Sequence, residues 1–379
     1  MDIANLTLEQ LAGQLLIVGF PDATTQAPDF IRDALSQSLI SGCILFRRNI
    51  EDVDQVLSLT RSIHEATRDA ILPFVSLDQE GGRVVRLREP LTPMPPMRLV
   101  GEYASRELTS HLSEAVATEI GALGFNLNFA PLLDVDTNPK NPVIGDRSFS
   151  SDPERVVKYA GAWMVGHTIA GVIPCGKHFP GHGDTHQDSH LALPTITHSR
   201  ERLQRIELLP FRRMIRAHIP MLMTAHIVVS SIDPIYPATL SRDVIQGLLR
   251  DQMDYQGVVV SDCLEMKAVA DHFEIEQMVE LGVRAGVDLF LICHTQEKWE
   301  RARGHLVEVA SKDEDFRARL EQSAARVLKL KRTELERLGH PWQPAPGWRD
   351  VLGCHAHRDL VARLDAKADV GEDPTERTT

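Results

Sequence analysis

Short, near-continuous apolar runs alternate with longer amphipathic stretches through most of the chain. Eight runs read as buried strands, at 14–20, 41–46, 73–78, 125–131, 171–176, 220–226, 257–262 and 287–293. Helical periodicity fills the gaps. Residues 51–68 place Val53, Val56, Leu57 and Ile63 at turns of three to four, and 105–123, 153–170, 199–217, 241–253 and 274–285 follow the same rule. Strands apolar on both faces need cover on both faces, which a parallel sheet under helices supplies. Eight such units within roughly 300 residues predict a (β/α)8 TIM barrel, an α/β fold. The rival, an open doubly wound sheet, is disfavoured because no strand runs into GxGxxG. The expected organisation is a single catalytic barrel over 1–338 and a short C-terminal extension over 339–379. In the extension, 339–346 reads as a loop, a short amphipathic piece follows near 358–364, and the polar end 371–379 is expected to be disordered.

Polar residues gather where the strands end. The third strand runs into Asp78-Gln79-Glu80-Gly81-Gly82-Arg83, with Arg86 beyond, and the fourth into Asp134 and Asp146-Arg147. The fifth meets Lys177-His178, the sixth His226, the seventh Asp262 and the eighth Cys293-His294. The C-terminal mouth is where such barrels hold their catalytic groups. Each residue alone has a plainer explanation. Asp78 and Asp262 suit helix caps, His226 a satisfied buried imidazole, Arg147 an ion pair with Asp146 or Asp134, and Gly81-Gly82 a turn. Convergence on one rim favours a polar pocket.

The densest stretch is 177–190, where fourteen residues hold four His, two Asp and one Lys. It is expected as a polar loop leaving the fifth strand. His178, His182, His186 and His190 recur every four residues, a metal-like pattern if helical. Pro180, Gly181 and Gly183 break any helix there. With no HExxH and no CxxC, no metal and no cofactor are expected.

Composition narrows the partners. Lys plus Arg is 41 against 53 Asp plus Glu, a formal net charge of -12, which disfavours a nucleic-acid partner. No apolar run approaches 18 residues, so no membrane insertion is expected. The first residues lack the basic start and apolar run of a signal peptide, and the five scattered Cys suggest no disulfide framework, so the expected location is cytoplasmic. Oligomeric state is not legible.

Lys177-His178-Phe179-Pro180-Gly181-His182-Gly183, followed by Asp188-Ser189-His190, resembles the signature of family 3 glycoside hydrolases, and within them the β-N-acetylhexosaminidases of the bacterial NagZ type. Asp78-Gln79-Glu80-Gly81-Gly82-Arg83, Asp146-Arg147-Ser148-Phe149 and Ser261-Asp262 with Met266 agree with it. The resemblance covers about residues 6–335. It implies a retaining exo-β-N-acetylglucosaminidase with Asp262 as nucleophile and His190, oriented by Asp188, as acid/base. It implies that Asp78, Arg86, Arg147, Lys177 and His178 bind the sugar. The substrate implied is a small carbohydrate or muropeptide from peptidoglycan recycling. Cys263 departs from the pattern, standing where the family often has a second acidic residue.

The chemistry is consistent with the residue types. Retention needs a nucleophile on one face of the anomeric carbon and a proton donor at the leaving oxygen. Imidazole, with a pKa near 6.5, can give and retake a proton at neutral pH. A His donor does not repel phosphate as a carboxylate would, so a β-N-acetylglucosaminide phosphorylase on the same fold is the alternative. Aromatic residues make up only 5%, which fits a small exo pocket better than a long polysaccharide groove.

Overall fold

In the computed structural model, which describes residues 3–185, 193–339 and 341–368, parallel strands close into an eight-stranded barrel. They are β1 (Leu16–Val18), β2 (Gly42–Ile44), β3 (Phe74–Leu77), β4 (Leu127–Asn128), β5 (Ile173–Phe179), β6 (Met221–Thr224), β7 (Val258–Cys263) and β8 (Leu289–Ile292). Each lies beside the next in chain order, and β8 closes on β1 through Leu16↔Phe290 and Val18↔Ile292. The (β/α)8 expectation is met.

Alternation along the strands divides the core in two. Ile17, Ile44, Phe74, Leu127, Ile173, Met221, Val258 and Leu289 fill the barrel interior. Their neighbours Leu16, Cys43, Val75, Leu222, Val259 and Phe290 pack outward against the helices. That is the period of two expected of a pleated strand buried on both sides. The long helices Gln296–Lys312 and Glu314–Glu334 complete the wall. The second closes the N-terminal end of the barrel with Val327 and Leu330. There the Lys331 ammonium donates to Gln14 Oε1 at 2.9 Å and to the Ser41 carbonyl at 2.7 Å.

Three expectations need correction. The fifth strand does not stop at 176; β5 continues through Lys177, His178 and Phe179, so Lys177 and His178 sit on the rigid sheet and not in a loop. The 199–217 pattern is two helices, Arg200–Arg205 and Leu208–Arg216. Pro210 cannot donate to the Ile206 carbonyl and its ring crowds that turn, so the chain breaks there. The 241–253 pattern winds as a π-helix over Asp243–Gln252.

The C-terminal extension forms the helix His355–Ala368, longer than the amphipathic piece expected. Leu352, Val361 and Leu364 join the outer core. The buried Glu119 carboxylate ties the extension to the loop after β3. It accepts from Thr92 N at 2.8 Å, Thr92 Oγ1 at 2.6 Å, Gly353 N at 3.1 Å and His357 Nδ1 at 2.7 Å. Glu119→Ala orphans all four donors and is expected to cost about 3 kcal/mol. His357→Ala removes one donor and is expected to cost about 1 kcal/mol. Urea unfolding of both variants measures the difference; equal effects would mean that the carboxylate is not the hub.

Candidate active site

A cavity of about 550 Å³ opens at the C-terminal mouth of the barrel. Six of the eight residues anticipated for the site line it: Asp78, Arg86, Arg147, Lys177, His178 and Asp262. Asp188 and His190 lie outside the described residues.

Two carboxylates and three cations form one network on its wall. Asp78 Oδ1 meets Lys177 Nζ at 2.8 Å, and Asp78 Oδ2 meets Arg86 Nη2 at 3.0 Å. Glu80 Oε1 meets the same Lys177 Nζ at 2.6 Å. Arg147 clamps Glu80 with both forks, Nε to Oε2 at 2.9 Å and Nη2 to Oε1 at 2.8 Å. Arg147 therefore pairs with Glu80, not with Asp146 or Asp134; Asp146 is taken by Arg83 at 3.0 Å. Asp78 is an ion-pair partner and not a helix cap. Gly81 and Gly82 make the turn behind these residues, with φ of +112° and +54°. A Cβ on Gly81 would stand 2.7 Å from the Pro95 carbonyl oxygen, so the turn admits little else.

Burial alone would raise both carboxyls. For Asp78 the charges of Lys177 and Arg86 outweigh it and hold the group well below the carboxylate range. For Glu80 those of Arg147 and Lys177 hold it down to about 2. Folded values below unfolded ones make the stabilisation complete above about pH 5 and progressively lost as pH falls toward 2. Urea midpoints from pH 7 to 3 are expected to fall, with a shallower slope for Glu80→Gln. Parallel slopes would remove Glu80 as a source.

A second anchor is Asp134, fully buried beyond β4. It accepts from His178 Nδ1 at 2.7 Å, from the His178 backbone N–H at 3.2 Å and from the His182 backbone N–H at 2.6 Å. The imidazole of His178 is thereby aimed by its Nδ1 side, leaving Nε2 for the cavity. Burial, then the nearby His178, lower His182 to about 4. His182 Nδ1 bonds Thr185 Oγ1 at 2.9 Å.

Asp262 stands next to last in β7, and its Oδ1 accepts from the Cys263 N–H at 2.7 Å. It caps no helix. His226, by contrast, follows the plainer explanation. It is buried, bonded to Thr239 Oγ1 at 2.9 Å and to the Cys263 carbonyl at 3.0 Å. The Cys293 thiol bonds to Cys263 Sγ and holds that thiol below its ordinary range, while burial raises Cys293 itself.

The described flanks of 186–192 are tethered. Asn141 Nδ2 donates to the His182 carbonyl at 2.8 Å, Asn138 Nδ2 to the Thr185 carbonyl at 3.0 Å, and Thr137 Oγ1 to Asp184 Oδ1 at 3.0 Å. His198 also pairs with Asp184. On the far side Thr195–Ile196 pairs in parallel with Val228–Val229. His182 and Asp184 thus fasten the near flank of this segment to the loop after β4 and to His198.

Sequence reasoning missed Glu80 and Asp134 as the anchors of the site. Both lay in view as acids at strand ends, but their partners are far away in sequence. It also missed Glu265 as a lining residue; its position two beyond Cys263 was the available signal.

Several known proteins are similar to this chain in sequence and in fold. The family described as glycosyl hydrolase family 3 N terminal domain matches residues 7–330. A β-hexosaminidase A of Pseudoalteromonas piscicida is 36% identical over 95% of this chain, which spans 66% of that protein's length. A family 3 β-N-acetylglucosaminidase from Paenibacillus sp. superposes with a TM-score of 0.89 at 39% identity, covering 96% of this chain and 69% of the other. NagZ from Neisseria gonorrhoeae, in complex with N-trifluoroacetyl-D-glucosamine, superposes with a TM-score of 0.77 at 28% identity, covering 95% and 98%.

Proposed function

Because the chain belongs to glycosyl hydrolase family 3, we propose that it is a retaining exo-β-N-acetylglucosaminidase using Asp262 as nucleophile. The observation that carries this is the placing of Asp262 at the end of β7 in one small cavity with a fixed network of Asp78, Lys177, Glu80 and Arg147. A rigid acceptor and rigid donors hold sugar hydroxyls without reorganisation. Asp78 keeps lone pairs free of its two cations to accept from hydroxyls, and Arg86, Arg147 and Lys177 have N–H groups to donate.

In the first step an Asp262 oxygen attacks the anomeric carbon, the bond to the aglycone oxygen breaks, and that oxygen takes a proton. In the second, water gives up a proton, attacks the same carbon, and frees the Asp262 carboxylate. Asp188 and His190 are our proposed donor pair, with His190 giving the proton first and retaking it second. Support for this pair is their place in the stretch that resembles the family signature. We further assign the natural substrate to peptidoglycan fragments, N-acetylglucosamine on an anhydro-muramoyl unit with or without peptide, and its site of action to the cytoplasm. Among the described residues no helix is long and apolar enough to cross a membrane.

The test is product analysis on aryl β-N-acetylglucosaminides and β-glucosides, with and without phosphate. Free N-acetylglucosamine of β configuration at first release is expected, with the glucoside poorly cleaved. N-acetylglucosamine 1-phosphate would establish phosphorolysis instead. The pocket cations Arg86, Arg147 and Lys177 are already engaged by Asp78 and Glu80, which leaves little charge for an incoming anion and favours water.

A further inference from the structure

We propose that Cys263, Glu265 and His294 form a binding site for a divalent transition-metal ion of the zinc class, and that an ion held there blocks the sugar pocket. Each offers one ligand atom, a thiol sulfur, a carboxylate oxygen and an imidazole nitrogen, and the three atoms lie within 4.8 Å of one another. Around a tetrahedral ion, ligand atoms at about 2.0–2.3 Å from the metal stand about 3.4–3.8 Å apart. Side-chain rotation of about an ångström closes that gap.

The barrel brings these residues together. Cys263 ends β7, Glu265 follows by two, and His294 lies two beyond the end of β8. The two strands are neighbours, with Leu291 opposite Cys263. Glu265, its side chain only 5% exposed, accepts from the His294 N–H at 2.6 Å and lies 3.4 Å from Lys298 Nζ. The His294 ring stacks on Phe46 at 5.8 Å, and Phe46 is itself covered by the Arg48 guanidinium at 4.4 Å. Backbone and ring contacts therefore set the ligands before any ion arrives.

The donor set selects the ion. Thiolate and imidazole favour zinc, cobalt or cadmium over magnesium or calcium, and three protein ligands leave a fourth position for water. Binding displaces the Cys263 thiol proton to solvent. All three residues line the cavity that holds Asp262, the residue before Cys263. An ion there competes with the sugar instead of assisting the chemistry. This set is unrelated to the four-residue His spacing at 178–190.

The full chain, stripped with a chelator and titrated with Co²⁺, should bind one equivalent with a thiolate-to-cobalt charge-transfer band. Cys263→Ser should lose the band, and His294→Ala should weaken binding about tenfold or more. Asp262→Asn and His190→Ala should keep it. Zn²⁺ should inhibit cleavage competitively, reversibly with EDTA, and about tenfold less potently in His294→Ala. Absence of bound cobalt, a band that survives Cys263→Ser, or loss of binding in His190→Ala but not in His294→Ala would each overturn the site. The binding measurements stand apart from catalysis, so they separate a failure here from a failure of the proposed activity.

Discussion

Asp262→Ala is expected to lower kcat on an aryl β-N-acetylglucosaminide by about a thousandfold or more, a barrier increase of about 4 kcal/mol. The side chain is proposed to form the covalent bond of the intermediate, so its removal leaves only binding and the remaining polar groups to lower the barrier. The fold should survive. The described carboxylate accepts one neighbouring N–H, at 2.7 Å, so unfolding midpoints should move by no more than about 1 kcal/mol. A small anion can take the place of the missing carboxylate. With azide, the variant should regain turnover and yield the α-glycosyl azide, because the anion enters from the face that Asp262 occupied. Full kcat in Asp262→Ala, or a β-azide product, would sink the assignment.

Glu80→Ala is expected to destabilise the protein by about 3–5 kcal/mol, the usual consequence of stranding a buried charge. Glu80 is 1% exposed on its side chain and Arg147 11%. Without Glu80, Lys177 keeps Asp78 at 2.8 Å, whereas Arg147 keeps the Val143 carbonyl at 3.0 Å. Arg147 bears most of the cost, so the Glu80→Ala/Arg147→Ala pair should be far less than additive. A coupling of about 2 kcal/mol is expected from the double-mutant cycle. A rise in KM should accompany the loss, since Arg147 and Lys177 are no longer aimed at the sugar. A variant within about 1 kcal/mol of wild type, with unchanged KM, would show that the network does not organise the site.

The two predictions depend on different kinds of information. Asp262 was readable as the polar end of an apolar strand, and the resemblance gave it a role. The load on Glu80 was not readable. Nothing in Asp78-Gln79-Glu80 reveals that Glu80 will meet Arg147, 67 residues on, and Lys177 further still. The nearest opposite charge in sequence, Asp146 beside Arg147, was the wrong partner, because Arg83 reaches it first. Local spacing also misplaced the start of the His-rich loop. Lys177 and His178 read as loop because they are polar, yet β5 accommodates them where Asp78, Glu80 and Asp134 satisfy them inside the mouth. Pro210, in contrast, was a visible helix breaker within a pattern read as continuous.

By itself the sequence determined the barrel, because strands apolar on both faces and alternating with amphipathic helices have one economical way to bury every face. It also determined which end would be chemical, since strand-end polarity is a local property. Only the tertiary structure decided the pairings. Which cation meets which carboxylate, and how Cys263, Glu265 and His294 converge, follow from the neighbouring of strands far apart in the chain. Electrostatic contacts act over a few ångströms in space and carry no periodic trace along the sequence.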